Sequence, residues 1–82
     1  MITLYTQPFC THCKAVKRYL HENNIEFTEI PEDHPDSPRF LLAYRKKYPN
    51  GRLEMPILVD NDGESCAGLD IIVALDNEEL AL

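Results

Sequence analysis

The chain has 82 residues, so we expect one compact domain over residues 1–82 with a modest hydrophobic core. Its formal net charge is −6 and its Lys and Arg residues are scattered rather than gathered into a stripe, which makes nucleic acid a poor partner. No apolar run approaches the roughly 18 residues of a membrane span and no signal peptide is evident, so we expect a cytoplasmic protein that does not bind membranes.

The first half of the chain predicts a strand, a helix and a strand. Residues 2–6 (ITLYT) are rich in β-branched and aromatic side chains, as in a buried strand. Residues 11–22 place three apolar side chains at i, i+3 and i+7, the spacing of an amphipathic helix. These are Cys13, Val16 and Leu20. Residues 25–30 (IEFTEI) alternate apolar and polar, which predicts a half-buried second strand.

A proline-rich stretch, residues 31–38, then predicts a loop that leads into a second helix. We expect Ser37 to be the N-cap of this helix and Pro38 its first helical residue. The pattern continues to Tyr48 and stops at the Pro-Asn-Gly sequence of residues 49–51.

The last third of the chain predicts two short strands and a short helix. The segment PILVD, residues 56–60, is the third strand, and the turn NDG leads into a fourth strand at residues 65–67. Residues 70–75 (DIIVAL) form the last helix, with Asp70 as its cap or as an acid in its first turn. The order β-α-β-α-β-β-α predicts an α/β fold, with a mixed four-stranded sheet flanked by helices.

Cys10 and Cys13 lie three residues apart, where the first helix is expected to begin. This spacing brings both side chains to one face, within reach of a disulfide. The free amides and the positive end of the helix dipole favour a thiolate on Cys10, which is the species that attacks disulfides. Cys13, deeper in the helix, suits the role of the resolving cysteine.

A structural zinc site is the competing reading of the cysteine pair. Such a site needs four ligands, and the third cysteine and the three histidines are not spaced as a second pair, so we expect no metal site. Cys66 could form a side disulfide, although a small residue in a short strand is more often simply buried. Tyr5 and Phe9 are expected to pack in the core, as aromatic residues in and after a strand usually do.

Three segments resemble motifs of the glutaredoxins, small thiol-disulfide oxidoreductases with the thioredoxin fold. They are YTQPFCTHC, GRLEMP and CAGLDIIVALD, which follow one another in the order and at the spacing of that family. The resemblance implies that Cys10 is the nucleophile, Cys13 the resolving cysteine and Pro56 a cis-proline. It also implies glutathione as a co-substrate, with no tightly bound cofactor.

The resemblance further implies a set of glutathione contacts. The backbone of Met55 would pair with that of glutathione, while Gly68, Leu69 and Asp70 would hold its γ-glutamyl end. Arg52 would meet the glycyl carboxylate, with Lys46 or Lys47 as substitutes.

Three positions in the first motif depart from the pattern of the family. Gln7 stands where the family often has lysine, and Thr11 and His12 stand between the cysteines where proline and tyrosine are common. We include Gln7 and His12 among the expected glutathione contacts. Because histidine titrates near neutral pH, His12 is also a candidate proton donor to a leaving thiolate, although a solvated turn residue is the commoner outcome.

The sequence therefore predicts a monomeric, glutathione-dependent oxidoreductase that reduces protein disulfides or glutathione mixed disulfides. One alternative is a redoxin that takes electrons from thioredoxin reductase and passes them to a disulfide-containing protein such as ribonucleotide reductase. Another is a dimer that binds an iron-sulfur cluster through Cys10 and glutathione.

Overall fold

The computed structural model describes residues 1–49 and 54–82, and Arg52 lies outside these ranges. The helices and strands follow the predicted order. They are β1 (Ile2–Tyr5), α1 (Thr11–Glu22), β2 (Phe27–Ile30), α2 (Asp36–Lys47), β3 (Ile57–Val59), β4 (Ser65–Ala67) and α3 (Asp70–Asp76). Within the described ranges, no helix has the length and apolar character needed to cross a membrane.

The four strands form one mixed sheet in the order β2-β1-β3-β4. Strand β1 runs parallel to β2 and antiparallel to β3, and β3 runs antiparallel to β4. The α1 crossover requires the parallel pair and the short turn between β3 and β4 produces the antiparallel one, so the predicted sheet is confirmed. Strand β1 ends just before the loop that leads to the cysteine pair, and β3 begins just after Pro56.

The main core lies between one face of the sheet and helices α1 and α3. Its buried side chains are Ile2, Leu4, Val16, Leu20, Leu58, Ile71 and Leu75. Because successive strand residues point to opposite faces, Tyr5 faces away from Leu4 and its ring stacks on Phe40 of α2, with 3.7 Å between ring centroids. Helix α2 therefore covers the other face of the sheet.

The predicted start of α2 is wrong by two residues. The helix begins at Asp36, and Ser37 lies inside it, where its side chain is buried. The N-cap residue is Pro35, and the preceding His34 accepts the capping bonds: its ring Nδ1 accepts one from the Asp36 amide and its carbonyl accepts one from the Ser37 amide, each at 3.0 Å. These bonds satisfy two amides that a helix leaves free at its N-terminus.

Two smaller predictions also need correction. Strand β2 begins at Phe27 instead of residue 25, because the Ile25 amide still bonds to the Leu20 carbonyl as the chain leaves α1. In α3 the N-cap residue is Leu69, so Asp70 is an acid of the first turn, as one of its two predicted roles requires, but not the cap.

Candidate active site around Cys10

Cys10 and Cys13 are joined by a disulfide at the junction between β1 and α1, with their Cα atoms 5.2 Å apart. Cys10 is the N-cap of α1, in an extended backbone conformation with φ −105° and ψ 108°. Helix α1 begins at Thr11, as predicted, so the spacing of three residues places both sulfurs on one side of its first turn.

A backbone amide of the first turn points at the Cys10 sulfur. The Cys13 N–H donates a hydrogen bond to Cys10 Sγ at 3.1 Å, as it would to the oxygen of a serine or aspartate cap. When the disulfide is reduced, this amide and the positive end of the helix dipole favour the anionic form of the sulfur. The geometry therefore provides the thiolate that disulfide exchange requires.

The two cysteines differ in how far solvent reaches them. Cys13 is 2% exposed and lies under the first turn of α1, whereas Cys10 is 9% exposed. A target disulfide can therefore approach Cys10 but not Cys13. This difference matches the roles of attacking and resolving cysteine.

The loop before β3 passes next to this sulfur. The Met55–Pro56 peptide bond is cis, as the resemblance implied, and the Met55 carbonyl oxygen lies 3.8 Å from Cys10 Sγ. The backbone of residues 54–56 therefore forms one wall of the approach to Cys10.

Gly68, at the end of β4, forms the next part of that wall. Its amide donates to the Pro56 carbonyl at 2.8 Å, and its φ of +61° is a conformation that glycine adopts readily. The carboxylate of Glu54 lies against it, with Oε2 2.9 Å from the position that a Cβ would take. The structure thus brings Cys10, Met55, Pro56 and Gly68 together, although these residues are far apart in the chain.

Comparisons with known proteins agree with this geometry. The family model for glutaredoxin matches residues 2–48. The glutaredoxin-like protein NrdH of Lactococcus lactis subsp. cremoris (strain MG1363) is 34% identical over 62 residues, which cover 76% of this chain and 79% of that protein. The chain belongs to the glutaredoxin family.

Solved structures extend this comparison to the fold. The glutaredoxin-like protein NrdH-redoxin from Escherichia coli, described as having a thioredoxin-like activity profile, superposes with a TM-score of 0.70 at 30% identity. The match covers 90% of this chain and 92% of that one. The thioredoxin-like protein BC3987 superposes with a TM-score of 0.68, also at 30% identity, over 93% of this chain and 97% of that one. The fold of this glutaredoxin-family protein is therefore thioredoxin-like.

A different group of relatives matches a shorter segment of the chain. The global transcriptional regulator Spx 1 of Oceanobacillus iheyensis (strain DSM 14371 / CIP 107618 / JCM 11309 / KCTC 3954 / HTE831) is 55% identical over 29 residues. These residues make up 35% of this chain and 22% of that protein, so the chain matches about a fifth of the length of the Spx relatives.

The remaining predicted site residues of this glutaredoxin-family protein lie around the central group. Leu69 and Asp70 follow Gly68 directly and are exposed at the start of α3. Gln7 lines a cavity of about 470 Å³ whose lining does not include Met55, Pro56 or Gly68. His12 is exposed on the first turn of α1 and makes no hydrogen bond or ion pair with the described part of the chain.

Phe9 is not a core residue, which corrects the prediction made from its sequence position. It has a φ of +57° and its side chain is wholly exposed. The left-handed backbone at this position turns the chain from β1 into the cap position of Cys10, and it directs the Phe9 ring to solvent. An exposed aromatic ring therefore lies next to the reactive cysteine.

Cys66 differs from Cys10 in its surroundings. It pairs with Leu58 across the sheet and is partly buried against the core. Burial raises the pKa of the Cys66 thiol, and the negative charges of Asp70 and Glu79 raise it further. Cys66 is therefore mostly protonated at neutral pH and is a poor nucleophile.

Glu54 is the site residue that sequence reasoning missed. It directly precedes Met55 within the GRLEMP segment, where an acid stands beside the loop expected to hold a carboxylate of glutathione. The negative charge of Glu54 next to an expected carboxylate of glutathione was the available signal.

Within residues 1–49 and 54–82, no group of three or more His, Cys, Asp or Glu side chains is arranged to hold a metal ion.

Proposed function

We propose that this glutaredoxin-family protein is a dithiol-disulfide oxidoreductase that thioredoxin reductase reduces and that passes its electrons to the disulfide of a partner protein. The observation that carries the proposal is the Cys10 sulfur, which accepts a hydrogen bond from the Cys13 amide and lies beside the Met55 carbonyl. That arrangement supplies an activated sulfur and an adjacent backbone wall along which an extended target segment can lie.

The reaction follows from the positions of the two sulfurs. The Cys10 thiolate attacks one sulfur of the target disulfide, forms a mixed disulfide with it, and releases the other target sulfur, which takes up a proton. The Cys13 thiolate then attacks Cys10 Sγ, closes the Cys10–Cys13 disulfide and releases the second target thiol. The target gains two electrons and two protons, and the reductase restores the dithiol by returning two electrons and two protons.

Exposed apolar side chains next to Cys10 support a protein as the partner. Phe9 is wholly exposed beside the cysteine, and Leu69 is 46% exposed beside Gly68. Exposed aromatic and aliphatic residues near a reaction centre commonly mark a protein contact. Ribonucleotide reductase, or another protein that must be reduced after each turnover, is the class of acceptor that we expect from the likeness to NrdH-redoxins.

The charge near Gly68 favours thioredoxin reductase over glutathione as the donor. Glutathione has two carboxylates and one ammonium at neutral pH, so its net charge is negative. The Glu54 carboxylate lies where the resemblance placed one of those carboxylates, and Gln7 lacks the positive charge that lysine would supply. Like charges at such a distance disfavour binding. The likeness to a redoxin with a thioredoxin-like activity profile supports the same choice.

Glutathione as the donor is a second candidate, since one feature of the site favours it. The cis Met55–Pro56 bond presents a peptide edge next to Cys10 Sγ, and Gly68, Leu69 and Asp70 continue that edge. A short peptide thiol could pair with the Met55 backbone there. In this case the same sulfur chemistry would run with two molecules of glutathione as the source of electrons.

A comparison of two reducing systems tests the donor. Reduction of insulin disulfides is followed by NADPH oxidation, either with thioredoxin reductase or with glutathione and glutathione reductase. We expect turnover with thioredoxin reductase, and a rate at least about tenfold lower with glutathione. Turnover with the glutathione system alone would overturn the proposed donor and would establish the second candidate.

Cysteine variants test the roles of the two sulfurs. Cys10→Ser should abolish turnover of every disulfide, because no other described thiol is positioned to attack. Cys13→Ser should stop turnover of protein disulfides and leave a mixed disulfide on Cys10 that mass spectrometry detects. Cys66→Ser is the matched control and should keep the wild-type rate. Full activity of the Cys10 variant would refute the assignment.

A further inference from the structure

Glu54 has a side chain at the edge of the active site that the fold does not use. Its Oε2 atom lies against Gly68, whose amide is already bonded to the Pro56 carbonyl at 2.8 Å. Glu54 is exposed, and its carboxylate makes no hydrogen bond with the described part of the chain. The carboxylate is therefore available to a bound partner.

The position of Glu54 relative to the reactive sulfur follows from the neighbouring backbone. Met55 is the next residue, and its carbonyl oxygen lies 3.8 Å from Cys10 Sγ. Because consecutive Cα atoms are about 3.8 Å apart, a segment laid along residues 54–56 to reach the sulfur passes the Glu54 side chain within one or two residues. That distance is within the Debye length of roughly 10 Å at 0.1 M salt, so the charge acts on the segment.

No described basic side chain neutralises this edge of the site. Asp70, two residues after Gly68, is also exposed and adds a second negative charge. The ion pairs within the described ranges all lie elsewhere, namely Lys17–Glu29, Arg18–Glu22 and His34–Asp36. The negative charge of Glu54 also acts on Tyr44. Burial is the largest cause of the raised pKa of the Tyr44 hydroxyl, and the charges of Tyr48, Cys66 and Glu54 raise it further.

We propose that Glu54 determines which disulfides reach Cys10: it favours partner segments that carry a basic residue close to the target cysteine and disfavours acidic ones. This inference rests on the proposed function, since it assumes that the target segment lies along residues 54–56. It defines the partner surface as a cationic one, and it makes the negative charge of glutathione a disadvantage at this site.

The experiment uses three disulfide-linked peptides that differ only in the residue two positions from the target cysteine, which is Lys, Gln or Glu. The second-order rate constant for reduction by the full-length dithiol protein is measured by stopped flow at 20 mM and 500 mM NaCl. We expect the Lys peptide to react about fivefold faster than the Glu peptide at low salt, as for charges several Å apart in water, and less than about twofold faster at high salt.

Glu54→Gln isolates the contribution of this carboxylate. The variant should lose most of the preference for Lys over Glu at low salt. Glu64→Gln is the matched control, because Glu64 is an exposed acid of the turn between β3 and β4, at the other end of β3 from Pro56, and this variant should keep the full preference.

The outcomes separate this inference from the proposed function. Equal rates for the three peptides with wild-type protein at 20 mM NaCl would overturn the inference while leaving the chemistry intact. An unchanged preference in Glu54→Gln would also overturn it. Failure to reduce even the Gln peptide would instead contradict the proposed oxidoreductase activity. The wild-type measurement at low salt needs no variant, so a misfolded Glu54→Gln protein would still leave a result that can overturn the inference.

Discussion

Helices α1 and α2 have the same length, 12 residues each, but the structure holds them in different ways. Helix α1 buries three apolar side chains in the core, whereas the only buried residue of α2 is Ser37. The Cys10 side chain caps α1, whereas the N-cap residue of α2, Pro35, makes no side-chain cap bond. Helix α2 contacts the sheet through the stacking of Phe40 on Tyr5.

This difference shows how the fold positions a reactive group. The sulfur that must be held accurately lies at the start of the helix with the larger buried face, and an ion pair from Lys17 to Glu29 also ties that helix to β2. A catalytic group is most accurately positioned when packing fixes the element that carries it. Helix α2 carries no reactive group among the described residues and mainly covers the second face of the sheet.

The largest expected effect comes from weakening the buried face of α1. Leu20→Ala removes a fully buried side chain from the core and should lower the free energy of unfolding by about 3 kcal/mol. Leu42→Ala on α2, where the leucine is 59% exposed, should change it by less than about 0.5 kcal/mol. Urea unfolding of the oxidised proteins measures both, and similar losses in the two variants would contradict the difference between the helices.

A smaller effect is expected where β1 meets β2 and α1. The buried Thr6 hydroxyl donates a hydrogen bond to Glu29 Oε2 at 2.7 Å, and this bond is the largest cause of the lowered Glu29 pKa. Burial raises the pKa of Glu29, whereas Lys17 lowers it further. Because it removes this hydrogen bond, Thr6→Val should lower the free energy of unfolding by about 1 kcal/mol at pH 7.

The pH dependence of that cost has a definite sign. A lowered folded-state pKa stabilises the protein above the unfolded pKa of glutamate, about 4.3, and the stabilisation is lost as pH falls through the folded pKa. The difference in stability between wild type and Thr6→Val should therefore be largest at neutral pH and should shrink below about pH 4. Unfolding curves at pH 7 and pH 3 measure it, and an equal difference at both would show that Glu29 is not the relevant acceptor.

The smallest expected effect is a gain in stability on the α2 side. Ser37 Oγ is buried and has no hydrogen-bond partner among the described residues. Ser37→Ala removes this unsatisfied hydroxyl and introduces a better helix former, so it should raise the free energy of unfolding by about 0.5–1 kcal/mol. Thr6→Val is the matched control, since it removes a buried hydroxyl that does have a partner. A loss of stability in Ser37→Ala would mean that the hydroxyl has a partner after all.

The sequence by itself determined the order of strands and helices and the place of Cys10 at the start of α1. Apolar spacing, turn residues and capping act over a few residues, so these features can be read locally. The cis form of the Met55–Pro56 bond followed from resemblance and is confirmed. Local reading failed at Ser37 and Phe9, where a histidine cap and a left-handed backbone decided which side chains were buried.

Only the tertiary structure decided what surrounds the sulfur. The Met55 carbonyl lies 45 residues from Cys10 in the chain, and the contact of Glu54 with Gly68 depends on how β3 pairs with β4. No local pattern encodes such distances, because strand pairing joins segments whose separation in sequence is set by the whole fold. The position of Cys10 at the start of α1 was therefore visible in the sequence, whereas the contact of Glu54 with Gly68 appeared only when the sheet brought the two loops together.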